Sequence, residues 1–371
     1  MIEEFKSLSI DLRLAFQGGT LEPWNDQYFD EWALRVFEYQ FESNPTYSSY
    51  CQKKGVTPST LGGWSEIPPV PTSAFKVAPL ISGDPSLVQR VFRTSGTTHG
   101  LQNRGEHHIL DLELYRSSLL PNLRAHIYGD ELNLRLLNLV PSPNEVPDSS
   151  LSFMLGEALS HLSDGDGGFF VRTDQGLDVD ALGEAVTQAT LEEKPIVLAG
   201  TAFAFVHWLD ALAGSDCKFN LPPGSRILET GGFKGKSRTL SRPVLYEGLS
   251  KVFGVSIQWI TNEYGMTELL SQFYEPMLTT SVKSLKERRH IGPPWMRTRV
   301  LDPNTLDPMP AGEHGILCHY DLANAGSVMA ILTEDLGSLD SEGGLLIAGR
   351  LQGAESRGCS LAMDELFSEL G

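Results

Sequence analysis

The sequence predicts an α/β protein in which a largely parallel sheet is flanked by helices and followed by a smaller β subdomain. Between residues 134 and 260, short apolar segments alternate with amphipathic segments of about 10–15 residues, a pattern typical of crossover units. Beyond Tyr264 the helical periodicity fades, and short strands are separated by turns rich in Pro, Gly and Asp. The expected division is an α/β core at 1–280, a small antiparallel or barrel-like subdomain at 281–350, and a hinge remnant with a C-terminal helix at 351–371.

The first hundred residues open with helices. Asn25 can cap a helix whose apolar residues follow the three/four spacing of one buried face, and Asn44-Pro45 ends that helix. A shorter helix follows and ends at Gly55. The segment 67–71 must be extended, because its prolines remove backbone donors and disfavour helix in the residues before them.

The alternating region predicts the remaining elements. Helices are expected at 109–127, with a break or kink near Pro121, and at 151–162, 179–193, 202–212, 240–253 and 360–370. Strands are expected at 134–140, 169–172, 196–198, 227–229, 257–260, 299–301, 315–319 and 345–348.

The composition is that of a globular protein without a membrane span, with 371 residues, 41% of them hydrophobic and 20% charged. The formal net charge of −18 argues against nucleic acid and anionic membranes as partners, because both repel an acidic surface. No apolar run approaches the roughly 18 residues of a membrane span, and acidic residues follow Met1 where a signal peptide needs basic ones. The four cysteines lack CxxC spacing, which predicts free thiols, no zinc site and a cytoplasmic location.

The stretch Ser95-Gly96-Thr97-Thr98-His99-Gly100 lies between an apolar segment and a polar one. Its glycines and hydroxyl residues can form a tight turn whose backbone N–H groups converge on an anion, while the hydroxyls donate to its oxygens. Such clusters are also common in ordinary turns. The stretch alone therefore leaves a phosphate-binding loop and a plain turn as alternatives.

Four further clusters look like turns at strand ends, where open α/β sheets bind ligands. They lie at 229–236, 262–268, 333–337 and 349–350. In the first, glycines follow a strand, so that the backbone can approach a flat ligand closely, and Lys234 and Lys236 stand beside them. In a protein of this net charge, an anionic ligand needs such local cations or N–H groups.

In this order the five motifs resemble the signature of the adenylate-forming superfamily of acyl and aryl acid ligases. That signature runs Ser-Gly-Thr-Thr-Gly, Gly-Gly, Tyr-Gly-x-Thr-Glu, an Asp near a glycine turn, and Gly-Arg. The resemblance implies the superfamily's N-terminal domain, with flanked parallel sheets and a small β-barrel-like subdomain, and it implies ATP and Mg²⁺ as cofactors. The implied nucleotide-binding residues are Ser95, Gly96, Thr97, Thr98, His99, Gly231, Gly232, Tyr264, Gly265, Thr267, Asp335 and Arg350.

At the base and ribose, the implied roles suit the residue types. Gly231 and Gly232 would border the adenine, and Tyr264 would stack on it as an aromatic face on a flat base. Asp335 would accept hydrogen bonds from the ribose hydroxyls, with Arg350 at the edge of the nucleotide. The plain alternatives are a core tyrosine and a turn-forming aspartate.

At the phosphates, the resemblance assigns the hydroxyls and N–H groups of the 95–99 turn to the β- and γ-phosphates. Thr267 would touch the α-phosphate. Glu268 would hold the Mg²⁺ that neutralises the phosphate charge, unless it is an ordinary surface acid. The 95–100 turn and the 264–268 segment are therefore expected to meet around one magnesium nucleotide.

Two departures from the superfamily pattern are visible. His99 stands where glycine is usual, and no lysine follows Gly100. The chain also ends at Gly371, where most members continue into a mobile C-terminal lid whose lysine contacts the reacting carboxylate, so the lid domain is expected to be absent. Lys234 and Lys236 are the candidates for that lysine's task, offsetting charge as the carboxylate approaches the α-phosphorus.

The tail 349–360, the Gly-Gly-Phe-Lys-Gly run at 231–235 and Pro71–Lys76 resemble the acyl-protein synthetase branch, the synthetase component of bacterial fatty acid reductase. In that branch a cysteine near the C-terminus carries the acyl group before a reductase takes it, and Cys359 is the positional match. A thiolate attacks an acyl-adenylate readily, and a thioester keeps the acyl group transferable. The alternative is that Cys359 packs as a small apolar residue, as Cys51, Cys217 and Cys318 are expected to do.

The predicted function is ATP-dependent activation of a carboxylic acid as its acyl-adenylate, thioester formation on Cys359, and transfer to a partner, a reductase or another acyl acceptor. One alternative is a stand-alone ligase that gives a fatty or aryl acyl group to coenzyme A or a carrier protein. Another, from a different class, is a non-catalytic nucleotide-binding regulatory subunit. The segment 200–207, aromatic and following a strand, fits an acyl pocket wall and a core helix equally well.

Overall fold

The computed structural model describes residues 2–95, 104–129, 134–213, 218–231, 240–276, 278 and 284–351. The α-helices in these ranges are α1 (Ile2–Phe16), α2 (Asp26–Ser43), α3 (Pro45–Lys53), α4 (Leu112–Leu123), α5 (Ser150–His161), α6 (Val179–Leu191), α7 (Ala202–Leu212) and α8 (Arg242–Phe253). The strands are β1 (Val70–Pro71), β2 (Arg90–Arg93), β3 (Glu106–Ile109), β4 (Arg135–Pro141), β5 (Gly168–Arg172), β6 (Gly176–Leu177), β7 (Ile196–Thr201), β8 (Arg226–Thr230), β9 (Ile260–Tyr264), β10 (Phe273–Tyr274), β11 (Met296–Leu301), β12 (Gly315–Asp321), β13 (Ala330–Leu339) and β14 (Leu345–Arg350).

The larger sheet has the described strand order β10-β9-β8-β7-β4-β5-β6. The five strands from β9 to β5 run parallel, and β10 and β6 add antiparallel pairs at its two ends. Strands β7 and β8 are buried along nearly their whole length, as expected for parallel strands covered on both faces by helices. This arrangement confirms the alternating strand–helix prediction.

The smaller sheet is antiparallel from β11 to β12 to β13 to β14, with β1 added in parallel beside β13. Its described strands form an open sheet in the order β1-β13-β12-β11, with β14 also paired to β13, rather than a closed barrel. Strands β2 and β3 form a separate antiparallel hairpin with Phe92 opposite His107. The hairpin is the element that leads into the glycine–hydroxyl turn.

The chain folds into two compact units. The first unit comprises Met1–Leu119, Met266–Gln272 and Ile291–Gly371, as far as the structure describes them. It contains the antiparallel sheet and the hairpin. The second unit comprises Leu120–Gly265 and Phe273–His290 and contains the seven-stranded sheet. The domain boundaries expected at 280 and 350 stay predictions.

Local side-chain chemistry explains where several helices begin. The side chain of Asn25 accepts from the Tyr28 N–H at the start of α2, and Asn44 does the same for Tyr47 at the start of α3, which satisfies backbone donors that a helix leaves unpaired. Thr201 caps α7 in the same way. Because these signals lie within a few residues of each helix start, the sequence alone could place α2, α3 and α7.

The core of the second unit is built where α7 and α8 cover the sheet. Trp208 is fully buried, and its ring centroid lies 4.6 Å from that of Phe253. The surrounding cluster joins buried residues of β4, β7 and β8 with those of α6, α7 and α8. Burial of this apolar surface is the main stabilising contribution to the unit.

Three predictions about elements are wrong. The strand expected at 257–260 is a 3₁₀ turn at Ile257–Trp259, and the strand begins at Ile260. The helix expected from 109 begins at Leu112, because Ile109 ends β3, and it continues past Pro121 to Leu123 before a π-helical turn. The cluster at 333–337, expected as a turn, lies inside β13 and carries an irregularity between Leu336 and Gly337.

Candidate active site

At the carboxyl edge of the larger sheet, two predicted nucleotide-binding residues lie side by side. Strands β8 and β9 are parallel, with Thr230 opposite Glu263, so Gly231 and Tyr264 are the next residues along each strand. Gly231 has a φ of 75°, a left-handed conformation that favours glycine. The half-buried ring of Tyr264 has its centroid 5.7 Å from that of Phe273. Gly265, which follows, is exposed.

A buried hydrogen-bond network supports this edge. The side chain of Asn262 donates from Nδ2 to Glu229 Oε2 over 2.6 Å, and its Oδ1 lies 2.7 Å from His290 Nε2. Tyr246 donates its hydroxyl to the same Glu229 oxygen over 3.1 Å. Burial is the main cause that raises the pKa of Glu229 to about 7. The network ties β8, β9 and α8 together just before Gly231 and Tyr264.

A second buried carboxyl lies at the same edge. The Thr230 hydroxyl donates to Glu263, whose side chain is enclosed. Burial raises the pKa of Glu263 to about 7, and the charge of Glu229 adds to the shift while the Thr230 hydrogen bond opposes it. Burying an acid in this way costs stability unless a cation compensates it.

In the first unit, the segment that follows Tyr264-Gly265 is held by buried side chains. His107 Nδ1 lies 2.8 Å from the carbonyl oxygen of Thr267, and Asn324 Nδ2 donates over 2.8 Å to the carbonyl of Glu268. The carboxylate of Asp321 accepts the N–H groups of Leu270 and Ser271 at 2.9 and 2.8 Å. Thr267 and Glu268 therefore stand on a turn whose backbone is fixed.

The hairpin and this turn belong to the same compact unit. Ser95, which is exposed, follows β2 by two residues. His107 is on β3, the partner strand of β2. Its bond to Thr267 thus joins the hairpin that carries Ser95 to the turn that carries Glu268.

Asp335 and Arg350 face each other in the antiparallel pair β13–β14. Arg350 Nη2 lies 2.9 Å from Glu334 Oε2, and Arg350 Nε lies 3.7 Å from Asp335 Oδ1. Asp335 was expected in a turn; it is a strand residue because the cross-strand partner of its backbone is Arg350. The structure brings this predicted pair together.

The remaining predicted site residues lie outside the described residues. These are Gly96, Thr97, Thr98, His99, Gly232, Lys234, Lys236 and Cys359. Of the other cysteines, Cys51 and Cys318 are fully buried, as expected, and Cys217 also lies outside. Burial raises the pKa of the Cys51 thiol to about 12, so this thiol stays protonated at neutral pH.

The segment 200–207 carries both buried and exposed aromatic side chains. Phe205 and Trp208 on α7 are buried in the core of the second unit, whereas Phe203 in the first turn is 43% exposed. The helix therefore packs as a core helix along most of its length and presents one aromatic side chain at its N-terminal end.

Sequence reasoning missed the residues that hold the site in place. His107, Asp321, Asn324 and His290 bond to groups far away in the chain, so no short-range pattern marks them. The one available signal was the Asn262-Glu263 pair directly before Tyr264, because polar residues at the end of a buried strand need partners.

The described ranges meet the requirements of neither a metal-binding cluster nor a membrane-spanning helix. Among those residues, no group of three or more His, Cys, Asp or Glu side chains is arranged to hold a metal ion. None of the helices described is long and apolar enough to cross a membrane.

The sequence is similar to known ligases along nearly its whole length. It matches the family profile described as "Acyl-protein synthetase, LuxE" over residues 20–368. The long-chain-fatty-acid–luciferin-component ligase of Vibrio harveyi is 25% identical over 367 residues, which cover 94% of this chain and 92% of the relative. The protein of the same name from Aliivibrio fischeri is 26% identical over 355 residues, which cover 92% and 89%.

Solved structures resemble the fold. An open conformation of 2-hydroxyisobutyryl-CoA ligase, in complex with 2-HIB-AMP and CoA, has a TM-score of 0.64 at 15% identity, with 88% of this chain and 70% of that chain covered. ATP-bound MatB from Rhodopseudomonas palustris has a TM-score of 0.52 at 15% identity. The similar region covers 73% of this chain and about half (49%) of the MatB chain. At these identities the likeness concerns the fold, and it confirms the fold class expected from the sequence.

Proposed function

Because this chain belongs to the acyl-protein synthetase (LuxE) family and is an adenylate-forming ligase, we propose that it activates a long-chain fatty acid with ATP and passes the acyl group to its own Cys359. In the first step a carboxylate oxygen attacks the α-phosphorus, and pyrophosphate leaves. In the second step the Cys359 thiolate attacks the acyl carbon, and AMP leaves. A reductase or another acyl-accepting protein then takes the acyl group from the thioester.

The observation that carries the proposal is the bonded arrangement of the first unit. The hairpin that leads into the glycine–hydroxyl turn is joined through His107 to the turn that bears Thr267 and Glu268. His107 and Thr267, 160 residues apart in the chain, thereby connect the two motifs, as a common phosphate site requires.

The donor set suits a magnesium ion that arrives with the nucleotide. Glu268 is a carboxylate of low exposure (7%) on a fixed turn, with the Thr267 hydroxyl next to it. Mg²⁺ is usually held by one or two carboxylates together with substrate phosphates and waters, not by a cage of protein ligands. When bound, the ion neutralises phosphate charge; Glu268 would hold it, and Ser95 and the hydroxyls after it would donate to the phosphates.

The base and ribose ends have matching residues. Tyr264 offers an aromatic face beside Gly231. Among the described residues, apart from the chain neighbours of Gly231, no atom stands within 4 Å of the place that a Cβ atom would take there, and this suits a flat base. Asp335 offers a carboxylate to the ribose hydroxyls. Arg350, 50% exposed and close to Asp335, can donate to the nucleotide from the same strand pair.

Support for a long-chain fatty acid comes from the names of the two curated relatives, long-chain-fatty-acid–luciferin-component ligases. The exposed ring of Phe203 at the first turn of α7, where the parallel strand β7 ends, offers an apolar surface to an acyl chain at the edge where such sheets bind ligands. An aryl acid, or transfer to coenzyme A, is the alternative that a substrate panel decides.

The first experiment measures ATP–pyrophosphate exchange by the purified chain with saturated fatty acids of increasing length and with aromatic acids. Exchange that depends on the acid and rises with chain length is the expected result. Exchange driven only by aromatic acids would replace the proposed substrate class, and the absence of exchange with every acid would overturn acid activation.

The second experiment follows a radiolabelled acyl group on the protein. Cys359→Ser should abolish the hydroxylamine-sensitive label while acid-dependent exchange continues. Cys51→Ala is the matched control, because that thiol is buried and protonated, and it should keep the label. A label that survives Cys359→Ser, or acyl transfer to coenzyme A without labelled protein, would refute the role of Cys359.

A further inference from the structure

His107 is buried in the first unit and is used by none of the predicted motifs. Its side chain lies on β3 at 1% exposure, and its ring meets the ring of Phe75 edge-on, with centroids 5.6 Å apart. Its Nδ1 lies 2.8 Å from the carbonyl oxygen of Thr267. The buried imidazole of His107 therefore forms a hydrogen bond with the backbone of Thr267, the residue before Glu268.

The chemistry of the two groups fixes the direction of this bond. A carbonyl oxygen can only accept, so Nδ1 carries the proton and donates it. Burial lowers the pKa of His107 to about 4, which keeps the imidazole neutral, with a single N–H, at neutral pH. The Nδ1–H donor to Thr267 therefore does not depend on protonation of the ring at neutral pH.

The hairpin that carries His107 is closed up to the residue before Ser95. The Thr94 N–H donates to the carbonyl of Gly105 over 3.0 Å, and the Gly105 N–H donates to the Thr94 hydroxyl over 2.9 Å. The Arg104 guanidinium also bonds to the carbonyl of Thr94. Because these bonds close the hairpin as far as Thr94, the bond at His107 also fixes the position of Ser95, the next residue.

The turn on the other side of the bond is equally well fixed. Asn324 holds the carbonyl of Glu268, and Asp321 holds the N–H groups of Leu270 and Ser271. Both anchors come from the end of β12 and the residues after it. Asn324 and Asp321 thus tie the turn to the antiparallel sheet, while His107 ties it to the hairpin.

The geometry points to His107 as a positioning residue for the adenylation step: its Nδ1–H holds the Thr267–Glu268 turn against the β2–β3 hairpin, which ends two residues before Ser95 on its β2 side. This inference rests on the proposed function, in which Ser95 and Thr267 contact the phosphates and Glu268 holds Mg²⁺. In this role His107 acts through the backbone of Thr267.

The test compares two substitutions at His107 with the same two at His319. His107→Phe keeps the ring and removes the donor, whereas His107→Asn places an amide N–H at the position of Nδ1. His319 is the control, because it is a fully buried histidine of the same unit that bonds to Thr298 Oγ1 over 2.9 Å. Its partner Thr298 is on the neighbouring strand β11, so loss of its imidazole removes a buried hydrogen bond of the same unit and leaves the bond to Thr267 in place.

In acid-dependent pyrophosphate exchange, His107→Phe should raise the Mg²⁺ concentration for half-maximal rate and lower kcat, each by about 10- to 100-fold, the range found when partners of metal ligands are removed. His107→Asn should recover most of both losses. The two His319 variants should lower the melting temperature without changing the Mg²⁺ dependence. Equal Mg²⁺ dependence in His107→Phe and wild type would overturn the inference, as would identical behaviour of the Phe and Asn variants.

A second readout separates this inference from the proposed function. Hydrogen–deuterium exchange of the peptide 266–272 should rise at least about tenfold in His107→Phe and stay at the wild-type rate in His107→Asn and in the His319 variants. If the wild type catalyses no exchange with any acid, the proposed function fails, and the deuterium result still decides whether His107 holds the turn. Unchanged deuterium uptake in His107→Phe would refute the positioning role.

Discussion

Replacing Glu263 with glutamine should stabilise the protein at alkaline pH and leave it almost unchanged at acidic pH. The Glu263 side chain is 5% exposed at the end of β9, and the Thr230 hydroxyl donates to it. In the described part of the chain, no Lys or Arg forms an ion pair with it. Burial accordingly raises the pKa of this carboxyl from 4.5 to about 7.

The size of the effect follows from proton linkage. A carboxyl whose pKa is raised in the folded state contributes stability that is fully present below pH 4.5 and is lost as the pH rises through 7. At 1.36 kcal/mol per pH unit, the shift corresponds to about 3 kcal/mol of free energy of unfolding lost between pH 4.5 and pH 8. Glutamine keeps the shape and never ionises, so Glu263→Gln should gain about 2–3 kcal/mol at pH 8 and almost nothing at pH 5.

Denaturant titrations at pH 5 and pH 8 measure this difference directly. For a unit of this size the gain at pH 8 corresponds to a rise in melting temperature of roughly 5–10 °C. Glu275→Gln is the matched control: Glu275 is fully buried but forms ion pairs with Arg242 and Arg288, so its loss should destabilise by about 3–5 kcal/mol at pH 8. A Glu263→Gln protein that is no more stable at pH 8, or equally stabilised at both pH values, would refute the reasoning.

Three further changes have defined outcomes. Trp208→Ala should lower the free energy of unfolding in denaturant by about 3–5 kcal/mol, because it empties a fully buried site in the core of the second unit. Burial lowers the pKa of His126 to about 4, so the unfolded chain takes up the proton first as the pH falls below 6.5, and the protein loses stability. His126→Phe should make this loss between pH 7 and pH 4.5 smaller by about 2–3 kcal/mol, as measured by thermal melts at the two pH values. Asp335→Asn should raise the KM for ATP about 10- to 100-fold in pyrophosphate exchange, because a neutral amide accepts more weakly than a carboxylate; an unchanged KM would exclude the ribose role.

Much of the fold could be predicted because its signals are local. The helix expected at 202–212 is found with the same bounds, since Thr201 caps it and its apolar residues repeat with helical spacing. The strand expected at 134–140 differs from β4 by one residue at each end, because a continuous apolar run before Pro141 is typical of a buried parallel strand. The pattern that predicts each of these elements lies within fewer than about twenty neighbouring residues.

The site could be predicted only as a set of motifs, because the contacts that assemble it join distant parts of the chain. Asp335 looked like a turn residue, since a glycine follows it two positions later, and only pairing with Arg350 makes it part of a strand. His107 gave no local signal for its bond to Thr267. A short sequence motif indicates which residue types a site contains. The tertiary fold determines which backbone groups lie within hydrogen-bond distance of those residues.

Among the described residues near the carboxyl edge of the larger sheet, Glu229, Glu263 and Glu275 are buried, and ion pairs with arginine are formed by Glu275. Glu275 is paired with arginines, whereas burial raises the pKa values of Glu229 and Glu263 to about 7. Glu229 is two residues before Gly231, and Glu263 is directly before Tyr264. Replacing buried ionisable groups by neutral ones of similar volume is often stabilising, and acids that lower stability are retained in proteins where activity needs them. Glu263→Gln therefore distinguishes two explanations. If the variant is more stable and its pyrophosphate exchange is slower, the Glu263 carboxyl contributes to the reaction. If it is more stable and the exchange rate is unchanged, the site at Tyr264 does not depend on this carboxyl.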